Sequence, residues 1–483
     1  MLMDNKTLFQ FFEWYLPEDG QHWKRLETEA GKLARLGITG VWTPPAYKGQ
    51  AGKSDVGYGV YDLYDLGEFD QKGTVPTKYG TRDEYLRAVR ACHDAGLEVY
   101  ADIVLNHRMG ADEAETVRAD AVNSANRNQD ISPNEEIQAW TKFTFPGRHG
   151  KYSDFVWNWS CFDGVDWDDR RKRHQIFEFE GKTWENGVDT ENGNYDYLMG
   201  ADLDMKNPAV LEELDRWGRW YLETVGMDGF RLDAVKHIDV SFFPRWLGKL
   251  RSESGRQLPA VGEYWHTDVN VLRAYLEKCG RVMRLFDVPL HFKFRVLSGA
   301  NGTFDLRELF RNTLTGCEPE ASVTFVDNHD TQPGQALESW VAGWCKPMAY
   351  ACILLRQEGL PCVFYGDLYG IPHDGIAPVE GMERLLLARK KYAYGPQHDY
   401  LDSPEVIGWT REGDREHPGS GMAVVLTDRG EARKRMYVGT VFAGELFLDY
   451  LGNRKEAVTI GADGYGEFPV NGGSVSVWVP AGK

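Results

Sequence analysis

Residues 81–107, TRDEYLRAVRACHDAGLEVYADIVLNH, carry one helix and one strand in succession. Thr81-Arg82-Asp83-Glu84 has the form of a capping box, in which each outer side chain can satisfy the other's backbone N–H, so a helix opens here. Glu98–Leu105 is a short apolar, β-rich segment that ends on Asn106 and His107. The same alternation continues in both directions. Further candidate strands lie at Leu8–Phe12, Ile38–Trp42, Gly229–Asp233, Ala260–Tyr264, Val282–Phe286, Val323–Val326 and Pro361–Tyr365. Between them run amphipathic helices. One sets Trp23, Leu26, Ala30 and Leu33 on a single face. Another starts at Asn207-Pro208, a cap followed by proline at the first helical position, and buries Val210, Leu214, Trp217 and Tyr221. Eight strand–helix alternations predict an α/β fold, a parallel (β/α)8 TIM barrel.

One connection is out of scale. From Asn106 to Gly229 the chain is far longer than a helical crossover needs. Its second half is rich in Trp, Asp, Asn and Gly, as in Phe155–Trp159 and Asn192–Asp196. The expectation is an inserted, β-rich domain after the third strand. Beyond about residue 396 the period changes to two, with Gly and Asp turns, in MAVVLTD, KRMYVGTVF and GGSVSVWVP. The domains are therefore expected at 1–105 and 207–395 (barrel), 106–206 (insert) and 396–483 (a small all-β sandwich).

The 483 residues hold 55 Lys plus Arg against 73 Asp plus Glu, for a net charge of -18. A surface this acidic is a poor partner for nucleic acid or anionic membrane. Met348–Leu355, closed by Arg356, is the longest clean apolar run, far short of the roughly 20 residues that span a bilayer. The N-terminal apolar stretch is broken by Gln10 and Glu13 and lacks the basic start of a secretory signal. Seven scattered cysteines form no CxxC pair, which suits reduced thiols in a cytoplasm. A soluble cytoplasmic monomer is expected.

In a barrel, chemistry gathers at the C-terminal ends of the strands. Four neighbouring ends are polar here: Asp102 to His107, Arg231 and Asp233, Glu263 to Trp265, and Asp327 to Asp330. Arg231 and Asp233 stand two apart and leave the same strand face. A guanidinium beside a carboxylate lowers its pKa, which suits Asp233 to be an anionic nucleophile. Glu263 ends an apolar strand, and partial burial beside another carboxylate raises its pKa, as a general acid requires. Two carboxyls about 5–5.5 Å apart mark a retaining glycosidase, and a wider gap an inverting one. Taken singly, Arg231–Asp233 is equally a structural ion pair, Glu263 an exposed strand end, His107 and His329 hydrogen-bonded structural residues, and Asp102 a loop brace. Their joint placement argues for a site.

DIVLNH, GFRLDAVKH, GEYW and FVDNHD, in this order and spacing, with MGADLDM between the first two, resemble the signature regions of the α-amylase family, glycoside hydrolase family 13. FFEWYLPEDGQHW, VWTPPAYKG, GYGVYDLYDLGEFDQKG, ENGNYDYLM and NGGSVSVWV extend the resemblance nearly end to end, toward liquefying bacterial members and their cytoplasmic branch. The resemblance implies Asp233 as nucleophile, Glu263 as acid/base and Asp330 as the third carboxylate, which stabilises the transition state. It implies that Tyr58 stacks under the sugar at subsite −1, which His107, Arg231 and His329 hold. Lys236, His237 and Trp265 fall to the plus subsites. The implied activity is retaining, endo-acting hydrolysis of α-1,4-glucosidic bonds in starch, glycogen or maltodextrins. A maltogenic exo-hydrolase, a transglycosylase and a non-catalytic carbohydrate-binding subunit are the alternatives, the last weakened because all three carboxylates are present. A transition-metal hydrolase is weaker still, since no HExxH or similar helix pair occurs.

The resemblance also implies one structural Ca²⁺, held by Asn106, Asp196, Asp202 and the backbone carbonyl of His237; hard oxygen ligands suit that ion. Three departures stand out. Glu185 and Lys206 fall, alongside Asp163 and Asp204, where liquefying relatives carry further acidic ligands, and a lysine repels a second cation. Ser403-Pro404-Glu405 replaces an expected His-Asp. The segment after the eighth strand, 366–381, is short for this branch, which would open the cleft there.

Overall fold

The computed structural model describes residues 5–482. Eight parallel strands close into a barrel: β1 Leu8–Gln10, β2 Gly40–Thr43, β3 Glu98–Ile103, β4 Gly229–Leu232, β5 Ala260–Gly262, β6 Arg284–Phe286, β7 Ser322–Phe325 and β8 Leu360–Phe364. β1 completes the ring by pairing with both β8 and β2. Every strand falls on a segment expected from the sequence. Several stop earlier: β4 ends at Leu232 and β5 at Gly262, so Asp233 and Glu263 stand just beyond the ladder. Their amides still bond the neighbouring strand, Asp233 to the Ile103 carbonyl and Glu263 to the Leu232 carbonyl, each at 2.9 Å, which fixes both residues at the barrel mouth. Gly229 opens β4 where space forbids a larger residue: a Cβ would sit 2.6 Å from the Pro259 carbonyl and 2.7 Å from the Tyr100 ring.

Local signals in the helices hold as well. The capping box at Thr81 and Glu84 is formed at the start of Arg82–Asp94. Asn207 accepts the Ala209 amide at the start of Pro208–Val225. The apolar run Met348–Leu355 is a helix buried throughout its length, packed between the barrel and the C-terminal sheet.

The long connection after β3 forms a six-stranded sheet in the order His107–Arg108, Ala201–Leu203, Phe162–Asp168, Arg173–Phe179, Glu113–Asn123, Asn126–Lys142. Its first strand begins only four residues after β3 ends, and His107 pairs across to Asp202. The C-terminal part is all-β, a six-stranded sheet with a two-stranded ribbon, Ala432–Tyr437 and Tyr465–Val470. Met436, Phe447, Phe468 and Trp478 form a core of its own. No helix among the described residues is long and apolar enough to cross a membrane. All seven cysteines are unpaired.

Candidate active site

Arg231 organises the barrel mouth. It is directly paired in register with Asp102 on β3, and its Nη1 lies 2.8 Å from Asp102 Oδ1 and 2.7 Å from Asp233 Oδ1. Its Nη2 lies 2.7 Å from Glu263 Oε2. One guanidinium thus holds three carboxylates from three adjacent strands. The Asp233 and Glu263 carboxyls stand close enough that each shifts the other's protonation. The chain turns sharply between them: Ala234 adopts φ 50, left-handed for a residue with a Cβ, and its amide donates to Glu263 Oε2 at 3.3 Å.

Electrostatics here departs from the sequence expectation at one point. The guanidinium was expected to depress Asp233, yet burial outweighs it and pushes the carboxyl up to about 6, with Asp102 adding to the rise. Burial is the larger effect, and the Asp102 charge on the same guanidinium adds to it. Glu263 is raised, by burial and then by Asp233, in the direction a general acid needs. Asp330 is raised well above the carboxylate range, by burial and Glu263. Burial works against the charge of Arg231, but the surrounding carboxylates hold it firmly protonated.

The other walls are aromatic and imidazole groups. Tyr58 O–H donates to Asp102 Oδ2 at 2.8 Å, and Trp42 Nε1 donates to the same oxygen at 3.0 Å. The Tyr58 ring is stacked with His329 at 5.1 Å and with Trp14 at 6.0 Å. His107 donates its Nε2 proton to the Tyr58 carbonyl at 2.8 Å, leaving Nδ1 bare, buried and without a partner. His329 Nε2 lies 3.3 Å from Asp330 Oδ2. Burial holds His107 down to about 4 and His329 well below the imidazole range, so both rings are neutral. On the far side, Lys236 Nζ is 3.0 Å from Glu191 and 3.3 Å from the Trp265 carbonyl, which brings Lys236 and Trp265 together. The His237 ring instead turns to the insert and donates from Nδ1 to the Tyr195 carbonyl at 2.7 Å.

Beside Tyr195 lies a cage of buried acids. Asp163, Asp196 and Asp202 bring carboxylate oxygens within 4.8 Å of one another, and Asp163, Glu185 and Asp204 form a second such group. Asn106 Nδ2 donates to Asp202 Oδ1 at 3.1 Å. Both oxygens of Asp163 and Oδ2 of Asp202 are buried without any hydrogen-bond partner. Burial, then Asp204 and Glu185, push Asp163 up to about 9. Stripped of water and facing each other, these oxygens fit a hard divalent cation. The second group differs, because it already holds ammonium ions: Lys206 Nζ lies 3.3 Å from Glu185 Oε2, and Lys182 pairs with Asp204.

The family description "Alpha amylase, catalytic domain" matches residues 31–391, and "Alpha-amylase C-terminal" matches residues 422–479. The chain belongs to the alpha-amylase family. It is 60% identical over 479 residues to the alpha-amylase of Geobacillus stearothermophilus, covering 99% of this chain and 87% of that one. To the cytoplasmic alpha-amylase of Escherichia coli K12 it is 42% identical, covering 99% of both. Among solved structures, the alpha-amylase of Geobacillus thermoleovorans complexed with acarbose shares the fold, at TM-score 0.66 and 17% identity, covering 99% of each chain.

Sequence reasoning brought together most of what this alpha-amylase family member gathers at its cleft: Tyr58, His107, Arg231, Asp233, Glu263, His329 and Asp330. It gave Asp163 only a flanking place, whereas the carboxylate sits at the centre of both acidic groups. Lys182 was missed altogether; its spacing from Asp204 carries no signal without the fold. Asp102, read from the sequence as a polar strand end or a loop brace, braces Arg231 and Tyr58 instead, and Trp42, which donates to it, could have been found from its inward position on β2. Gln10, the one polar residue of β1, was noticed but assigned no role.

Proposed function

We propose that this protein hydrolyses α-1,4-glucosidic bonds of starch, glycogen or maltodextrins, cutting within the chain and retaining the anomeric configuration. The observation that carries this is the two-nitrogen grip of Arg231 on Asp233 and Glu263, which holds the two carboxyls side by side on one guanidinium. Close carboxyls leave no room for a water between nucleophile and sugar, the arrangement of a double displacement. Glu263, whose pKa burial and Asp233 raise, gives its proton to the departing glucosidic oxygen. Asp233 attacks the anomeric carbon and forms a glycosyl ester. Glu263, now a carboxylate, takes a proton from water, whose oxygen displaces Asp233 and releases the α anomer. Asp330 and neutral His329 grip the ring hydroxyls, where binding strengthens as the sugar flattens toward the transition state. Tyr58 lies beneath that ring, His107 offers its bare Nδ1 to a hydroxyl, and Lys236 and Trp265 receive the leaving chain.

One Ca²⁺ belongs to this reading, held by Asn106, Asp163, Asp196 and Asp202 with the His237 carbonyl; bound, it supplies charge neutralisation that fixes the insert against the barrel. Seven free thiols and the likeness to the Escherichia coli protein support a cytoplasmic location.

The test is the product profile and anomeric form released from soluble starch by wild type and by Asp233→Asn. Rapid loss of iodine staining with mixed α-anomeric maltodextrins, abolished in the variant, is expected. A single small product or transfer products would turn the reading to an exo-hydrolase or transglycosylase. Maltodextrin binding without turnover by either protein would overturn catalysis.

A further inference from the structure

Gln10 is buried at the C-terminal end of β1, 1% exposed, paired in register with Trp42 and Phe364. A carboxamide is out of place in the apolar strand Leu8–Gln10, and burying it costs about 1–3 kcal/mol unless it is hydrogen-bonded. Its Nε2 lies 2.9 Å from His329 Nδ1. Around that imidazole the remaining neighbours are rings: Phe12 at 4.9 Å, Tyr58 at 5.1 Å, Trp42 at 5.8 Å and Trp14 at 6.1 Å. Rings restrain where the imidazole lies but not which nitrogen carries its proton. At the opposite edge, His329 Nε2 is buried, makes no hydrogen bond within the described residues, and faces Asp330 Oδ2.

We infer that Gln10 is a positioning residue that fixes the tautomer of His329, donating from its carboxamide to Nδ1 so that the single proton of the neutral ring stands on Nε2, aimed into the cleft. The inference rests on the reading of this cleft as a glucoside-binding site and assigns the hydrogen-bond polarity of one wall. His107 is fixed the opposite way, its Nε2 proton spent on the Tyr58 carbonyl and its bare Nδ1 turned inward. The two imidazoles therefore present one donor and one acceptor to the sugar. A hydroxyl does both, so a glucosyl ring can satisfy the pair, whereas an acceptor-only group in the same place would leave His107 Nδ1 unanswered. In the other tautomer of His329, a bare Nε2 would face Asp330 Oδ2, and the donor to the sugar would be lost.

The test combines nitrogen NMR of protein carrying ¹⁵N-histidine with steady-state kinetics on maltodextrin. His329 resonances are assigned by their loss in His329→Gln. In wild type, Nδ1 is expected to be pyridine-like and Nε2 pyrrole-like. Gln10→Glu places at the same point a carboxylate that can only accept, so Nδ1 should become pyrrole-like. Gln10→Met removes the donor and should mix the tautomers. Both variants should lower kcat about tenfold or more, the worth of one buried hydrogen bond, with KM much less affected. Melting curves establish that the variants are folded, and Gln10→Met covers the case in which Gln10→Glu is not. A protonated Nδ1 in wild type, or an unchanged tautomer and kcat in Gln10→Met, would overturn the inference. The tautomer is read without substrate, so the reading of the cleft can fail separately: an Asp233→Asn protein that keeps its activity would sink that reading and leave the His329 result standing.

Discussion

Asp102 and Arg231 are cross-strand partners in the β3–β4 register, and their side chains meet at 2.8 Å. Asp102 touches neither Asp233 nor Glu263 through a bond of its own, yet it sets how much positive charge Arg231 has to offer them. It also receives the Tyr58 hydroxyl and so orients that ring.

Asp102→Asn removes a buried charge from this pair. Breaking such a pair costs about 3–5 kcal/mol, so a clear drop in melting temperature is expected. The kinetic signature is more specific. Asp102 contributes to the raised pKa of Asp233, so its loss should move the acid limb of kcat/KM to lower pH. A pH profile with an unmoved acid limb would reduce Asp102 to a packing role.

As the proposed nucleophile Asp233 must be ionised to attack, and its surroundings push it up to about 6. Activity should therefore fall below about pH 6, while the raised Glu263 extends the protonated acid toward neutral pH; the two limbs belong to the coupled group rather than to either residue alone. Stability runs the other way. The folded chain holds a proton on Asp233 that the unfolded chain releases near its ordinary 3.8, so this contribution is greatest below that value and is lost as pH rises to about 6. The slope is at most about 1.4 kcal/mol per pH unit. Denaturant titrations between pH 4 and 7 should show it in wild type and a flatter curve in Asp233→Asn.

Chelation should convert the acidic cage into a proton acceptor. With no ion present, Asp163 titrates at about 9 and is protonated at neutral pH. Calcium binding must then expel protons, and apparent affinity should climb with pH up to about 9. Calorimetry in buffers of different ionisation enthalpy measures the release directly. Heat independent of buffer would contradict a protonated cage.

Lys206 and Lys182 already neutralise Glu185 and Asp204. Elemental analysis should find one tightly bound calcium per wild-type chain, and a second in Lys206→Asp, where repulsion becomes attraction. Two ions at full occupancy in wild type would refute the single site.

The barrel was legible because its signals are local: the Thr81 capping box, the Asn207-Pro208 start and eight short apolar strands each announce themselves within a few residues. Gly229-Phe-Arg-Leu-Asp233 placed the key pair on one strand face by its period of two alone. What stayed hidden depends on distant partners. The hairpin from Glu113 to Lys142 is too polar for strand patterning to reveal, because much of it is exposed on both faces. The rise of Asp233 comes from its burial and then from the charge of Asp102, and no spacing encodes how deeply a strand end is buried. Lys182 meets Asp204 only after the insert has folded back, and Gln10 meets His329 only when the barrel closes β1 beside β8.

The insert sheet starts with His107 itself, cross-paired to Asp202 of the acidic cage, while Asn106 bonds the Asp202 carboxylate. The proposed sugar grip and the acidic cage are thus adjacent beads on one thread. On the proposed reading, a shortage of the ion would slacken the hold on substrate before it unfolded the barrel, whose eight strands close into a ring of their own. Such a protein idles before it fails, and an idle one can be restarted by returning the ion alone.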